Sequence, residues 1–250
     1  MEELDRFENE LIERYAQHPV LANVARLPEE DFAAVLLQRR FLSLAFTPAY
    51  DLAIDLLNDE EGLRIARVIL REEYPDSHGD TRSHREDMTA DMIRLGVSRE
   101  ALVHTRPTAA TKLAVDATFD LIADAGTHAD ADLRVLTILR FWGEILVSVE
   151  YGRLWERMEP RFDQDGENVS RFYYPHHQHD AKCGSLATAH LLGTTHSDRL
   201  ATRVRAYLGN GGAAAADSFR EMEERSLRIK VDFYDQFLPA LERTPARTGS

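Results

Sequence analysis

Three places in the chain put metal-ligating side chains at spacings that chemistry can use. Residues 171–183, RFYYPHHQHDAKC, hold His176, His177, His179, Asp180 and the only cysteine, Cys183. His190 and His196 follow, so half of the ten histidines fall between 176 and 196. On a helix, His176 and Asp180 are four apart and share a face, which position 183 continues. Imidazole nitrogen beside carboxylate oxygen at this spacing is how helical bundles hold iron or manganese. His177 and His179 point elsewhere, as supporting or surface residues. The bland alternative is a solvent-facing polar turn, against which Phe172, Tyr173 and Tyr174 indicate a packed segment.

The second place is ILREEYPDSHGDTRSHREDM. Glu72 and Glu73 close a stretch whose apolar residues are Leu63, Ile65, Ala66, Val68, Ile69 and Leu70. After a loop marked by Pro75 and Gly79, His84 stands in the first turn of the next helix. Two helices joined this way can aim a carboxylate and an imidazole at one point, although solvated glutamates and a surface histidine explain the same letters. The third is Glu144, set among Phe141, Trp142, Ile145, Leu146, Val147 and Val149. An ionised carboxylate there needs a compensating partner. Arg140 one turn earlier is one candidate and a metal is another; Glu150, about 120° around the helix, is the competing carboxylate.

The elements that must carry these residues are helical. Phe32, Val35, Leu36, Phe41, Leu44 and Ala45, then Leu52, Ile54, Leu56 and Leu57, recur in threes and fours, and strand alternation is missing. Breaks are expected at HPVL, TPAY, NDEEG, YPDSHGD, TRPTAA, AGTHADAD, EPRFDQDGEN, LLGTTHSD and GNGG. The longest helices should run from about 131 to 158 and from about 213 to 241. Short connections and the lack of a repeat predict one compact all-α domain over residues 1–245, with 246–250 a disordered tail.

Composition narrows the function classes. Thirty Lys and Arg against forty-three Asp and Glu give a formal charge of −13, which disfavours nucleic acid and anionic lipid surfaces. No apolar run approaches the roughly 20 residues of a spanning helix, and the acidic start MEELDRFENELIERY is no signal peptide. A single cysteine allows no intramolecular disulfide, so the cytoplasm is the expected location.

The order of these motifs resembles that of the heme-oxygenase-like diiron oxidases and oxygenases, whose fold is shared with heme oxygenase, thiaminase II and the pyrroloquinoline-quinone synthase. LREEYPDSHGDTRSH is similar to that group's helix-end glutamate, glycine-containing loop and helix-start histidine. Glu144 followed by His176 and Asp180, with Phe172 and Tyr173 before them, resembles its central glutamate and later histidine and aspartate. The likeness covers about residues 60 to 185. It implies a heme-oxygenase-like multi-helix bundle and Glu73, His84, Glu144, His176 and Asp180 as iron ligands, with Glu72 able to replace Glu73. Where the group's last histidine should stand, this chain has Cys183; His179, His190 or His196 could complete the site instead. The resemblance further implies a cofactor of Fe(II), two per chain, with manganese as the competing metal, O2 as cosubstrate, and an external electron donor as a partner such an enzyme can need. The implied activity is N-oxygenation, desaturation, oxidative cleavage or rearrangement of an amino acid or similar small acid or amine. Phe41, Phe46, Phe141, Trp142 and Tyr151 are the residues expected against the substrate, with Arg39, Arg40 or Arg140 for a substrate carboxylate.

Two other classes compete. A metal-free thiaminase-like hydrolase or cofactorless oxidase would use Cys183 as nucleophile, with His179 four residues before it on the same helix. Haem binding would rest on His18, in a poorly matching context. A non-catalytic helical interaction protein would bind no metal; a homodimer is compatible with a bundle, but no exposed heptad run marks its interface.

Overall fold

The computed structural model describes residues 1–75, 78, 80–186 and 195–243, and these are helical nearly throughout. In chain order the helices are α1 (Glu2–Ala16), α2 (Pro19–Ala22), α3 (Glu29–Leu56), α4 (Glu60–Glu72), α5 (His84–Arg94) and α6 (Arg99–His104). They continue with α7 (Ala109–Gly126), α8 (Ala131–Ile138), α9 (Leu146–Phe162), α10 (Tyr173–His179), α11 (His196–Asp235) and α12 (Leu238–Glu242). The fold is all-α. A short hairpin, Asp163–Gln164 with Glu167–Asn168, is the departure from it. Its turn residues Asp165 and Gly166 have φ of 56° and 83°, the left-handed backbone a two-residue hairpin loop requires.

One continuous path forms the centre. α8 passes into a π-helical segment, Leu139–Ile145, and on into α9, and every residue from 133 to 148 is buried. α11 packs on α8, on the π segment and on α7, α1 and α4, while α3 packs on α7 and α4, and α10 on α9. No helix among the described residues is long and apolar enough to cross a membrane.

Two sequence expectations change and a third holds. TPAY does not break the chain: Pro48 lies inside α3. A proline costs one helical hydrogen bond, but Leu42, Ala45, Ala49, Tyr50 and Ala53 around it form a buried stripe whose packing outweighs that loss. GNGG does interrupt the helix as expected: Gly212, with φ of 60° and ψ of −143°, is non-helical and sets a kink between the two helical stretches that α11 joins. α10 ends at His179, with Asp180 as its C-cap, so Cys183 does not continue the face of His176. His190 and the tail 246–250 lie outside the described residues.

Candidate metal centre

Glu73 caps the C-terminus of α4, its N–H bonded to the Leu70 carbonyl. α5 starts where it does because Ser83 and Glu86 form a reciprocal capping box: Ser83 Oγ accepts from the Glu86 N–H at 3.3 Å, and Glu86 accepts from the Ser83 N–H at 2.9 Å. His84 is therefore the first residue of the helix, with Nδ1 2.9 Å from Glu73 Oε1. Its ring centroid lies 4.7 Å from that of His176. Ligand atoms of Glu73, His84 and His176 all fall within 4.8 Å of one another.

A second group holds Glu144, Asp180 and His196, again within 4.8 Å. Thr195 caps α11, accepting from the Asp198 N–H at 3.2 Å, which makes His196 another helix-first residue. His196 Nδ1 lies 3.2 Å from Glu144 and 3.6 Å from Asp180, and its Nε2 lies 3.1 Å from Glu72. The Tyr50 hydroxyl donates to the other oxygen of Glu144. Gly143 makes that approach possible, because a Cβ there would sit 3.2 Å from the Tyr50 ring.

α10 has only two turns, and its neighbours hold it. Asp91 of α5 is buried and accepts from Ser170 Oγ at 2.8 Å and from the N–H groups of Phe172, Arg171 and Tyr173 at 2.9, 3.2 and 3.4 Å. A carboxylate on these unpaired N–H groups anchors the helix start. The helix that carries His84 thereby fixes the helix that carries His176. On the other side, His177 lies so close to α9 that a Cβ on Gly152 would be 2.7 Å from its Cε1. His176 Nδ1 donates to the Phe172 carbonyl at 2.7 Å, which leaves Nε2 as the nitrogen with a free lone pair.

The electrostatics suit a bound cation. Burial pushes the Asp180 carboxyl well up, and the adjacent Glu144 carboxylate adds to the shift. Burial, then the neighbouring His84, pushes His176 down to about 3, so it is the neutral base a metal needs. Burial opposes the charge on His196, but hydrogen bonds to Asp180, Glu144 and Glu72 raise it to about 12. The His196 imidazolium thus sits among the carboxyl groups of Glu144, Asp180 and Glu72. The pairing of hard carboxylate oxygens with imidazole fits Fe(II) or Mn(II), and two buried acids side by side fit a dication better than they fit each other.

Both groups line one cavity of about 500 Å³, whose walls also include Leu42, Phe46, Trp142, Val147, Tyr151 and Phe172. No protein-family model and no curated protein sequence matches the chain. Solved structures do match in shape. A CADD-like protein of unknown function from Nostoc punctiforme aligns over 98% of this chain and 100% of its own, with TM-score 0.65 and 13% identity. The TenA homologue from P. horikoshii aligns over 96% and 98%, with TM-score 0.57 and 16% identity. A putative TenA-like thiaminase from Sulfolobus solfataricus aligns over 98% and 96%, with TM-score 0.55 and 14% identity. The chain has the heme-oxygenase-like fold.

Within this heme-oxygenase-like bundle, Glu73, His84, Glu144, His176 and Asp180 face the cavity together, joined by Glu72 and His196. The alternatives for the last position separate clearly. His196 sits in the second group, His179 is exposed at the cavity edge, and Cys183 is exposed and outside the lining. Cys183 and His179 share no helix, since α10 has already ended. Glu150 stands apart from the metal-ligand groups, held by Arg39, Lys230 and Tyr15. Arg140 does not compensate Glu144: it pairs with Glu8, 132 residues away, and lies 3.7 Å from Glu223. Phe46, Trp142 and Tyr151 line the cavity, but Phe141 is fully buried outside it and Phe41 is not among its walls. Phe141 and Trp142 are successive residues of the π segment and point in different directions, so they do not share one wall. Tyr50 and Asp91 were invisible as site residues in the sequence, the first because TPAY reads as a break.

Proposed function

We propose that this protein is a non-haem iron enzyme that uses O2 to oxidise a small molecule, with two Fe(II) per chain. Glu73, His84 and His176 would hold one iron, and Glu144, Asp180 and His196 the other. The observation that carries this reading is the convergence of two carboxylate and imidazole groups on one cavity. Bound iron supplies the one-electron steps that O2 reduction needs and that no side chain here provides. The chain's own residues set up the rest. The Phe172 carbonyl orients His176, the Tyr50 hydroxyl holds Glu144, and Glu72 accepts from His196. Such supporting partners fix ring orientation and ligand basicity. The apolar walls keep water from the reacting atoms.

The substrate class we assign is an amino acid or similar small acid or amine. The structural neighbour called a putative thiaminase points to a metal-free hydrolase as the competing reading. Its nucleophile would be Cys183, but that thiol is outside the cavity lining, and partial burial and then Asp198 push its pKa up, away from the reactive thiolate. Anaerobic titration of the metal-free protein with Fe(II), followed by exposure to O2 while visible absorption is recorded, tests the proposal. Uptake of about two irons per chain with an optical change on adding O2 is expected. No uptake would end the metal reading.

A further inference from the structure

At the cavity wall lies a charge arrangement that the metal ligands do not use. Glu150 is fully buried and accepts from Arg39 Nε at 2.6 Å, Lys230 Nζ at 3.1 Å and Tyr15 Oη at 2.7 Å. Arg39 and Lys230 line the cavity, while Glu150 and Tyr15 stand behind them. Two buried cations thus meet one carboxylate, with the surplus positive charge on the cavity side.

Lys230 has three N–H donors, and among the described residues the acceptor hydrogen-bonded to it is Glu150. The ammonium otherwise rests over the Trp142 ring, 5.4 Å from the centroid. Arg39 Nη1 donates to Ser43 Oγ at 2.9 Å, which lies 2.9 Å from Tyr151 Oη, so a hydroxyl pair flanks the cations on the same wall. Arg40 and Arg140 do not compete for this role. Arg140 is locked to Glu8, and Arg40 is outside the cavity lining and donates to the Leu102 carbonyl.

We infer that Arg39 and Lys230 form an anion-binding subsite that takes the carboxylate of a small monocarboxylate substrate, whose apolar body lies along Leu42, Phe46, Val147 and Phe172. A buried surplus charge costs stability unless an opposite charge joins it, and a ligand carboxylate offers both that charge and acceptors for the spare N–H groups. Burial, together with Arg39, holds the Lys230 ammonium down to about 8 against the pull of Glu150, as expected of a cation short of a counterion. The inference deepens the metal reading, since bound dications would offset Glu72, Glu73, Glu144 and Asp180 and leave Arg39 and Lys230 for the substrate, but the surplus charge itself comes from Arg39, Lys230 and Glu150 alone.

Calorimetric binding of octanoate and of 1-octanol to the metal-free protein and to the anaerobic Fe(II) form tests it. Octanoate should bind at least about tenfold more tightly than the alcohol in both forms, a difference typical of one charge-assisted contact. Inorganic phosphate, with the charge but no apolar body, should not displace it. Lys230→Met should bring octanoate down to the affinity of 1-octanol and leave the alcohol unchanged, and Lys230→Arg should keep the preference. Equal affinity for acid and alcohol in the wild type overturns the inference whether or not the Met variant folds. A preference that survives Lys230→Met in the metal-free protein also overturns it, since something other than Lys230 would then hold the carboxylate. Failure of iron uptake with the preference and its Lys230 dependence intact would remove the metal reading and leave the subsite standing.

Discussion

Asp91 binds no metal in this arrangement, yet replacing it should damage the metal centre. Asp91→Ala strips four donors of their acceptor: the Ser170 hydroxyl and the N–H groups of Arg171, Phe172 and Tyr173. Losing a helix N-cap costs about 1–2 kcal/mol, and buried donors left without partners cost about 1–3 kcal/mol. These terms overlap, because the N–H groups are counted in both, so about 3 kcal/mol is the working figure. For a chain of this size that corresponds to a fall in Tm of roughly 6–12 °C, short of unfolding at room temperature. The helix that would loosen is α10, whose His176 must meet His84 from α5. Disturbing such a support typically weakens metal affinity about 10- to 100-fold. Calorimetric unfolding of the metal-free variant and anaerobic Fe(II) titration measure the two effects separately. Asp91→Asn keeps one acceptor oxygen and should fall between. A variant with the wild-type Tm and the wild-type iron affinity would refute the argument that Asp91 couples the two helices.

Other outcomes follow from the same geometry. His196→Ala should lower bound iron to about one per chain, whereas Cys183→Ala should leave the count unchanged, both read by metal analysis after anaerobic loading. Metal loading should release protons, because His196 is held charged up to about 12 and must lose its proton to ligate; calorimetry in buffers of different ionisation enthalpy reads this. Gly152→Ala should cost about 1–3 kcal/mol, since the added Cβ meets His177 and forces α10 away from α9. Burial opposes ionisation of Glu8, but the Arg140 guanidinium brings its carboxyl down to about 2 from 4.5. A lowered carboxylate pKa means the stabilisation is complete above about pH 4.5 and is lost as pH falls through 2. Glu8→Gln should therefore be less stable than the wild type at pH 7, with the gap closing between those two pH values in denaturant titrations.

What could be read from the letters follows a physical division. Helix ends announce themselves locally: Ser83 and Glu86 form the box that puts His84 first in α5, and Glu73 stands where the α4 pattern stops. His176 and Asp180 could be paired by spacing alone. Long-range partners could not. The acceptor for Arg140 is 132 residues away at Glu8, so the neighbour four residues on, Glu144, looked a better match than it is. Cys183 shares the His176 face only if the helix continues past Asp180, which it does not, and His196 lies beyond a stretch that helical spacing cannot bridge. Pro48 hid Tyr50, since a proline is read as a break and only tertiary burial shows that α3 runs through it.

The placement of the ligands has a common physical reason. Glu73, His84, Asp180 and His196 occupy helix caps or first residues, and His176 lies in the last turn of α10. At such positions the backbone has unpaired groups and neighbouring helices can converge without burying a polar side chain along an apolar face. Glu144 is the exception, lying mid-path in a stretch where every neighbour is buried. There the chain adopts its π-helical segment, a distortion that inserts extra backbone into a turn and is found mainly where function requires it. Removing one residue between 139 and 145 to restore α-helical winding would redirect Glu144 relative to the α8 and α9 faces on either side of it. Glu144 and the α9 face that supports α10 through Gly152 could then no longer both reach their partners. Such a deletion should abolish metal binding even where circular dichroism still reports a helical protein. Retained iron uptake would show that the π turn is incidental to the site.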